Sequence, residues 1–227
     1  MMPFIDDASM QVSNKHPFIA REGWIYLALL AIATIILSSF EYYVISSVIF
    51  VAMLFLIFMY RDPERVIPSE PLSVVSPIDG IVERVSDCCS ELLDEPAQCV
   101  LIRVNYFGVY SSRSPTEGKV LKQAIKKNQN KVQFFNWVQT DEGDNILWEV
   151  KSLGLGWISF YVQTGERIGQ GQRCGFLPFF AKVDVYLPKN ALLLVKVGDK
   201  VTAGESVLAR LTHKPNTSIF SESEKVL

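Results

Sequence analysis

The sequence predicts a mainly β domain, a flattened barrel or sandwich, preceded by a two-helix transmembrane hairpin. Three observations carry this prediction. Two uncharged apolar runs, residues 24–40 and 42–60, stand side by side with only Glu41 between them. Beyond residue 75 the chain is a succession of short apolar or alternating runs broken by Gly, Asn and Asp, with few helical signals. A unit of the form V-x-x-G-[DE]-x-[VI]-x-x-G also occurs twice, with close variation, around Gly165 and around Gly198.

The apolar runs explain a composition that an ordinary soluble domain does not have. Hydrophobic residues make up 49% of the 227-residue chain, so a membrane segment is needed to account for them. Each run approaches the roughly 20 residues that span a bilayer. Trp24, Tyr26, Tyr42, Tyr43 and Tyr60 sit at or near their ends, as interface anchors do. Lys15 and Arg21 precede the first run, Arg61 and Arg65 follow the second, and the turn between carries only Glu41. The positive-inside rule therefore predicts a multi-pass protein of the inner (cytoplasmic) membrane with both ends and the globular domain in the cytoplasm. The expected organisation is a cytoplasmic N-terminal segment (1–23), the hairpin (24–60), a Pro-rich connector (61–75), the β domain (76–211) and a polar tail (212–227). Pro63, Pro68 and Pro71 forbid a continuous helix in the connector.

Within the β domain, strands are expected at 81–85, 100–104, 148–150, 156–162, 182–187 and 192–197. The repeated glycines are expected in hairpin turns that need positive φ, with the apolar residues between them pointing into the core. Such units are typical of flattened barrels resembling lipoyl-like hybrid-barrel domains, and two of them are too few for a solenoid.

Several chemistries are excluded or weak on composition. With 22 basic and 24 acidic residues and no basic block, no nucleic-acid partner is expected. Histidine occurs only at His16 and His213, so the domain holds no Ser-His or Cys-His pair and no histidine metal site. Cys88, Cys89, Cys99 and Cys174 lack C-x-x-C spacing and are read as ordinary thiols; no metal is expected. The glycines at 165, 169 and 171 lack a Walker lysine and a following helix.

Four motifs carry a family resemblance: Arg61-Asp62-Pro63-Glu64-Arg65, Ser76-Pro77-Ile78-Asp79-Gly80, Arg113-x-Pro115-x-x-Gly118-Lys119-Val120, and Val183-Asp184-Val185-Tyr186-Leu187-Pro188. Together they resemble the short, membrane-anchored branch of the phosphatidylserine decarboxylases over roughly residues 55–211. The resemblance implies a fold elaborated from the lipoyl-like barrel. It also implies a chain that cuts itself at a Gly-Ser bond, leaving a pyruvoyl cofactor that serves as electron sink for decarboxylation. At the cleavage position, however, this sequence reads Phe180-Ala181, and alanine has no oxygen to attack with. Phe180 also removes the backbone freedom that glycine gives to a strained bond. The family's assisting histidine falls on Tyr110, whose phenol titrates near 10 when unperturbed and suits neutral acid–base work poorly.

The catalytic positions implied by the resemblance are thus Asp79, Tyr110 and Ala181, with Asp79 alone keeping the family's residue and otherwise read as an Asp-Gly turn. Cleavage between Phe180 and Ala181 is not expected, nor is a pyruvoyl or other cofactor. Arg113 and Lys182 are the candidates for a lipid phosphate. The implied partners are a phospholipid membrane, phosphatidylserine or another phospholipid, and either a second copy of the chain or an active decarboxylase. Two functions follow. One is a non-pyruvoyl pseudoenzyme that binds phospholipid or partners an active enzyme. The alternative is an active decarboxylase making phosphatidylethanolamine after an unusual activation. A lipoyl-like membrane adaptor stands behind both, without the long helical hairpins such adaptors carry.

Overall fold

The computed structural model describes residues 18–89, 96–128, 131–152, 158–177 and 180–212. His16, Lys15, Pro178, Phe179, His213 and the tail beyond 212 lie outside them. The described chain begins with helices α1 (Trp24–Ser39) and α2 (Tyr43–Met59). Glu41, at φ 63°, makes the turn between them. Ser46 Oγ lies 2.9 Å from Ser38 Oγ and donates to the Thr34 carbonyl at 3.2 Å, so small polar residues join two otherwise apolar helices. Ile35, Val44 and Val51 point outward rather than into a core. A helix apolar on all sides and unburied is suited to lipid. With the helical turn before it, α1 forms a 19-residue segment, Arg21–Ser39, long and apolar enough to cross a membrane, whereas α2 has 17 residues and is shorter.

The connector runs without helix to strand β1 (Ser73–Val75), followed by β2 (Gly80–Cys89), β3 (Pro96–Val104), β4 (Ser111–Arg113), β5 (Gly118–Asn128), β6 (Lys131–Gln139) and β7 (Asn145–Ser152). Then come β8 (Ser159–Phe160), β9 (Arg167–Ile168), β10 (Arg173–Phe176), β11 (Lys182–Pro188), β12 (Leu192–Leu193), β13 (Lys200–Val201) and β14 (Val207–Arg210). The protein is mainly β. Eight strands form one curled antiparallel half-barrel sheet in the order β13-β2-β3-β11-β7-β6-β5-β9, beside two three-stranded sheets, β1-β14-β12 and β4-β10-β8.

Strand β11 lies inside the large sheet, and its alternation explains the V-D-V-Y-L-P motif. Val183, Val185 and Leu187 are fully buried, and Val183 and Val185 pair across to Ile102, Val100, Val150 and Trp148 on the core face. Asp184 and Tyr186 occupy the other face. There Asp184 accepts from Lys151 Nζ at 2.8 Å and from Cys99 Sγ at 3.4 Å, and the Tyr186 hydroxyl donates to Glu149 at 3.2 Å. Asp184 is 2% exposed, so this aspartate holds strands together.

The predicted repeat is structural. Gly165 and Gly198 have φ of 94° and 96°, and Gly171 and Gly204 have 67° and 75°. Their hydrogen bonds also correspond. Gly165 N donates to Val120 O and Gly198 N to Val82 O, while Gly171 N donates to Ser114 O and Gly204 N to Ser76 O, all at 2.8–2.9 Å. The acceptors expose a further repeat, Ser76-Pro77-Ile78-Asp79-Gly80-Ile81-Val82 against Ser114-Pro115-Thr116-Glu117-Gly118-Lys119-Val120. In each copy the serine hydroxyl donates to the carbonyl two residues on, at 2.7 Å.

Two expected strands are shorter than their apolar runs. Of 192–197 only Leu192–Leu193 pairs, because the second repeat turn begins with Lys196 N donating to Asp199. Of 156–162, residues 156 and 157 lie outside the described residues, Ser159–Phe160 is a strand, and residues 163–166 form the first repeat turn. The connector's last residues are β1, paired to β14. The long hairpin β5–β6 carried little signal, because a bulge between Val120 and Lys122 breaks its alternation.

Gly118 is required by this packing. Its φ is 153°, and a Cβ there would lie 2.2 Å from the Gln139 carbonyl oxygen. Gly118→Ala is expected to cost about 1–3 kcal/mol, read as a lower unfolding midpoint of the full chain in detergent.

Candidate functional site

The segment from the end of β3 to β4 bonds to two of the three family positions and carries the third. Val104 N donates to the Ala181 carbonyl at 3.2 Å, Asn105 N donates to the Asp79 carbonyl at 3.0 Å, and Leu177 N donates to the Tyr110 carbonyl at 2.8 Å. Asp79 and Ala181 are thus each bonded to the segment 104–110 that carries Tyr110.

Each of the three side chains is held by its surroundings. The Asp79 carboxylate accepts from Ala203 N at 2.8 Å through Oδ1, and from Val109 N at 3.0 Å and Arg65 at 2.9 Å through Oδ2. Tyr110 is 3% exposed, packs at an angle to Phe176, and donates its hydroxyl to the Tyr106 carbonyl. Burial pushes its phenol up to about 12, further from neutral acid–base work. The Ala181 methyl is buried at the start of β11, while Phe180 is 56% exposed and meets Tyr106 edge to face.

The two phosphate candidates lie in different surroundings. Lys182 is exposed and donates to Glu83 at 2.6 Å, and Arg103 shares the same carboxylate at 2.7 Å. The Lys182 hydrogen bond, with both cations nearby, holds Glu83 below its ordinary range. Arg113 is 6% exposed and directed into the junction between the helices and the β domain. Its guanidinium donates to Asp62 at 3.1 Å and to the carbonyls of Gly171 and Pro63 at 3.2 Å.

That junction is the feature the sequence reading missed. Asp62 has a fully buried side chain. One oxygen accepts from Ser111 at 2.7 Å and from Arg113, while Arg173 Nε lies 3.1 Å from the other without the alignment of a hydrogen bond. Arg173 also reaches Glu22, ahead of α1, at 3.2 Å, and its guanidinium lies 5.2 Å from the Tyr161 ring. Tyr161 in turn donates its hydroxyl to Glu22. Backbone bonds complete the bracket: Ala20 N donates to Tyr60 O at 2.7 Å and Asp62 N to Phe18 O at 2.6 Å. R-D-P-E-R is therefore a clasp, with Arg61 donating to the Phe107 carbonyl, Asp62 on two arginines and Arg65 on Asp79. The motif itself was the available signal, but a sequence does not show which of its charges is buried.

Burial pushes the Cys174 thiol up to about 12 and also raises that of Cys99, and a protonated buried thiol is a poor nucleophile. Among the described residues no cluster of His, Cys, Asp and Glu could hold a metal.

Comparison with known proteins agrees with the motifs. No solved structure matches the chain. The phosphatidylserine decarboxylase proenzyme of Burkholderia pseudomallei (strain K96243) is 31% identical over 219 residues, covering 90% of this chain and all of the relative. That of Paraburkholderia xenovorans (strain LB400) is 32% identical over 212 residues, covering 88% of this chain and all of the relative. The profile of the phosphatidylserine decarboxylase family matches residues 52–209, a stretch that contains the R-D-P-E-R clasp, Asp79, Tyr110, Ala181 and both repeats, and the chain therefore belongs to that family.

Proposed function

We propose that this member of the family works without a pyruvoyl group, as a membrane-anchored protein of phospholipid metabolism that binds phospholipid or partners an active decarboxylase. The observation that carries the reading is Phe180-Ala181 at the position where the resemblance places the Gly-Ser cut. The residues present do not fit a self-made pyruvoyl group. Ala181 supplies only a buried methyl, the Tyr110 hydroxyl is committed to the Tyr106 carbonyl, and the Asp79 carboxylate serves three donors. Asp79, Tyr110 and Ala181 are in this reading inherited positions with structural work, and Lys182 is the better placed of the two phosphate candidates because it is exposed.

The proposed setting is the inner (cytoplasmic) membrane, crossed by both helices, with the β domain on the cytoplasmic side. The basic residues outside the hairpin support this orientation. The paired turn units support the lipoyl-like reading of the β domain.

The alternative is an active phosphatidylserine decarboxylase with another activation route. One observation favours it: the relatives at 31–32% identity are named as proenzymes. Against it, no Gly-Ser dipeptide occurs anywhere in the chain to serve as a displaced cut site. The test is incubation of the purified chain in detergent with carboxyl-labelled phosphatidylserine. Retention of the lipid with no labelled carbon dioxide is expected; release above a protein-free control would establish the alternative.

A further inference from the structure

Three aromatic side chains stand in the open where the β domain meets the helices. Tyr106 is 48% exposed, Phe107 74% and Phe180 56%, and the rings of Tyr106 and Phe180 are 5.7 Å apart. Their loop is firmly held. Asn105 accepts from Phe107 N through its side chain at 3.2 Å and from Gly108 N through its carbonyl at 2.9 Å. Gly108 is pressed so close to Asp79 that a Cβ would lie 2.8 Å from the Asp79 Cβ. The outward display of the rings is thus built in.

The patch is continuous with the end of α2. Arg61 donates to the Phe107 carbonyl at 2.7 Å while its guanidinium lies 4.0 Å over the ring of Phe58, in the last turn of that helix. Phe107 is therefore at the level where α2 ends. Aromatic rings favour the layer between headgroups and acyl chains, and an arginine there keeps its stem among apolar groups and its charge in water. Beside Phe180, Lys182 and Arg103 share the carboxylate of Glu83, which leaves that corner with one positive charge in excess, suited to anionic headgroups.

We propose that Tyr106, Phe107 and Phe180 insert into the phospholipid interface beside α2 and seat the β domain on the membrane surface. The position of the family's cut then carries a lipid-contacting ring. This rests on the reading of α1 and α2 as a membrane anchor.

Tryptophan quenching in vesicles tests both statements separately. The full chain is reconstituted into phosphatidylcholine and phosphatidylserine vesicles whose phosphatidylcholine is brominated near the headgroup end of the acyl chains. The difference between the natural chain and Trp24→Phe reports the anchor. Phe107→Trp and Phe180→Trp, each added to Trp24→Phe, report the patch. Lys189→Trp in the same background is the control, just past the far end of β11 and separated from Phe180 by that strand's length of about 20 Å. Quenching at 107 and 180 as strong as at Trp24, with none at 189, is the expected result. Quenching of Trp24 alone would overturn the patch and leave the anchor standing. No quenching at 24, 107 or 180 would overturn both. Probes at 107 and 180 that are unquenched but blue-shifted in a concentration-dependent way would show a second copy covering the patch, and would also overturn it.

Discussion

Replacing Asp62 by alanine is expected to destabilise the full chain by about 3–5 kcal/mol in denaturant unfolding in detergent. The side chain is fully buried, with Arg113 and Arg173 each 3.1 Å away, so its removal leaves the buried Arg113 guanidinium without a carboxylate and Arg173 with Glu22 alone. The loss of an anion from a buried ion cluster is far more damaging than the loss of a surface pair, which contributes roughly 0–1 kcal/mol. Replacing charges together is the diagnostic control. Asp62→Leu combined with Arg113→Met removes both members of a buried pair, and most of the lost stability is expected to return because apolar side chains of similar volume tolerate such a site. A change below about 1 kcal/mol for Asp62→Ala would show that the clasp does not hold the domain to the helices.

Asp79→Ala is expected to cost roughly 2–4 kcal/mol, and Asp79→Asn nearly as much. The asparagine result is the informative one. Both carboxylate oxygens accept a backbone N–H, one from Ala203 and one from Val109, so either orientation of an amide sets its NH2 against a donor. An aspartate kept for chemistry alone would lose little stability on becoming asparagine. Equilibrium unfolding of the two variants separates the cases, and a loss under about 0.5 kcal/mol for Asp79→Asn would contradict the structural role.

Much of this was legible in the residues. The uncharged runs gave the helices, the alternation of Val183, Val185 and Leu187 gave the central strand, and the repeated glycines gave turns with positive φ at every corresponding position. The family resemblance singled out Asp79, Tyr110 and Ala181, and backbone bonds tie Asp79 and Ala181 to the segment that carries Tyr110. What stayed hidden depends on tertiary contact. Arg113 looks like a phosphate-binding cation until Asp62 is found against it, and nothing local tells Asp62 from the exposed Glu64 two residues on. The Ser-Pro-x-acid-Gly-x-Val repeat was visible as letters but had no meaning until its serines were seen to accept from matching turns. Lys119 and Lys122 flank a bulge, so the β5 period is broken where a strand would be sought.

The central claim, that the chain makes no pyruvoyl group, is tested most directly by the intact mass of the purified protein after incubation with phosphatidylserine in detergent. A single uncut chain of 25.6 kDa, with no ketone at its N-terminus, is the result predicted. A chain split between Phe180 and Ala181, or a ketone at any new terminus, would contradict the account and require a different nucleophile for the cut.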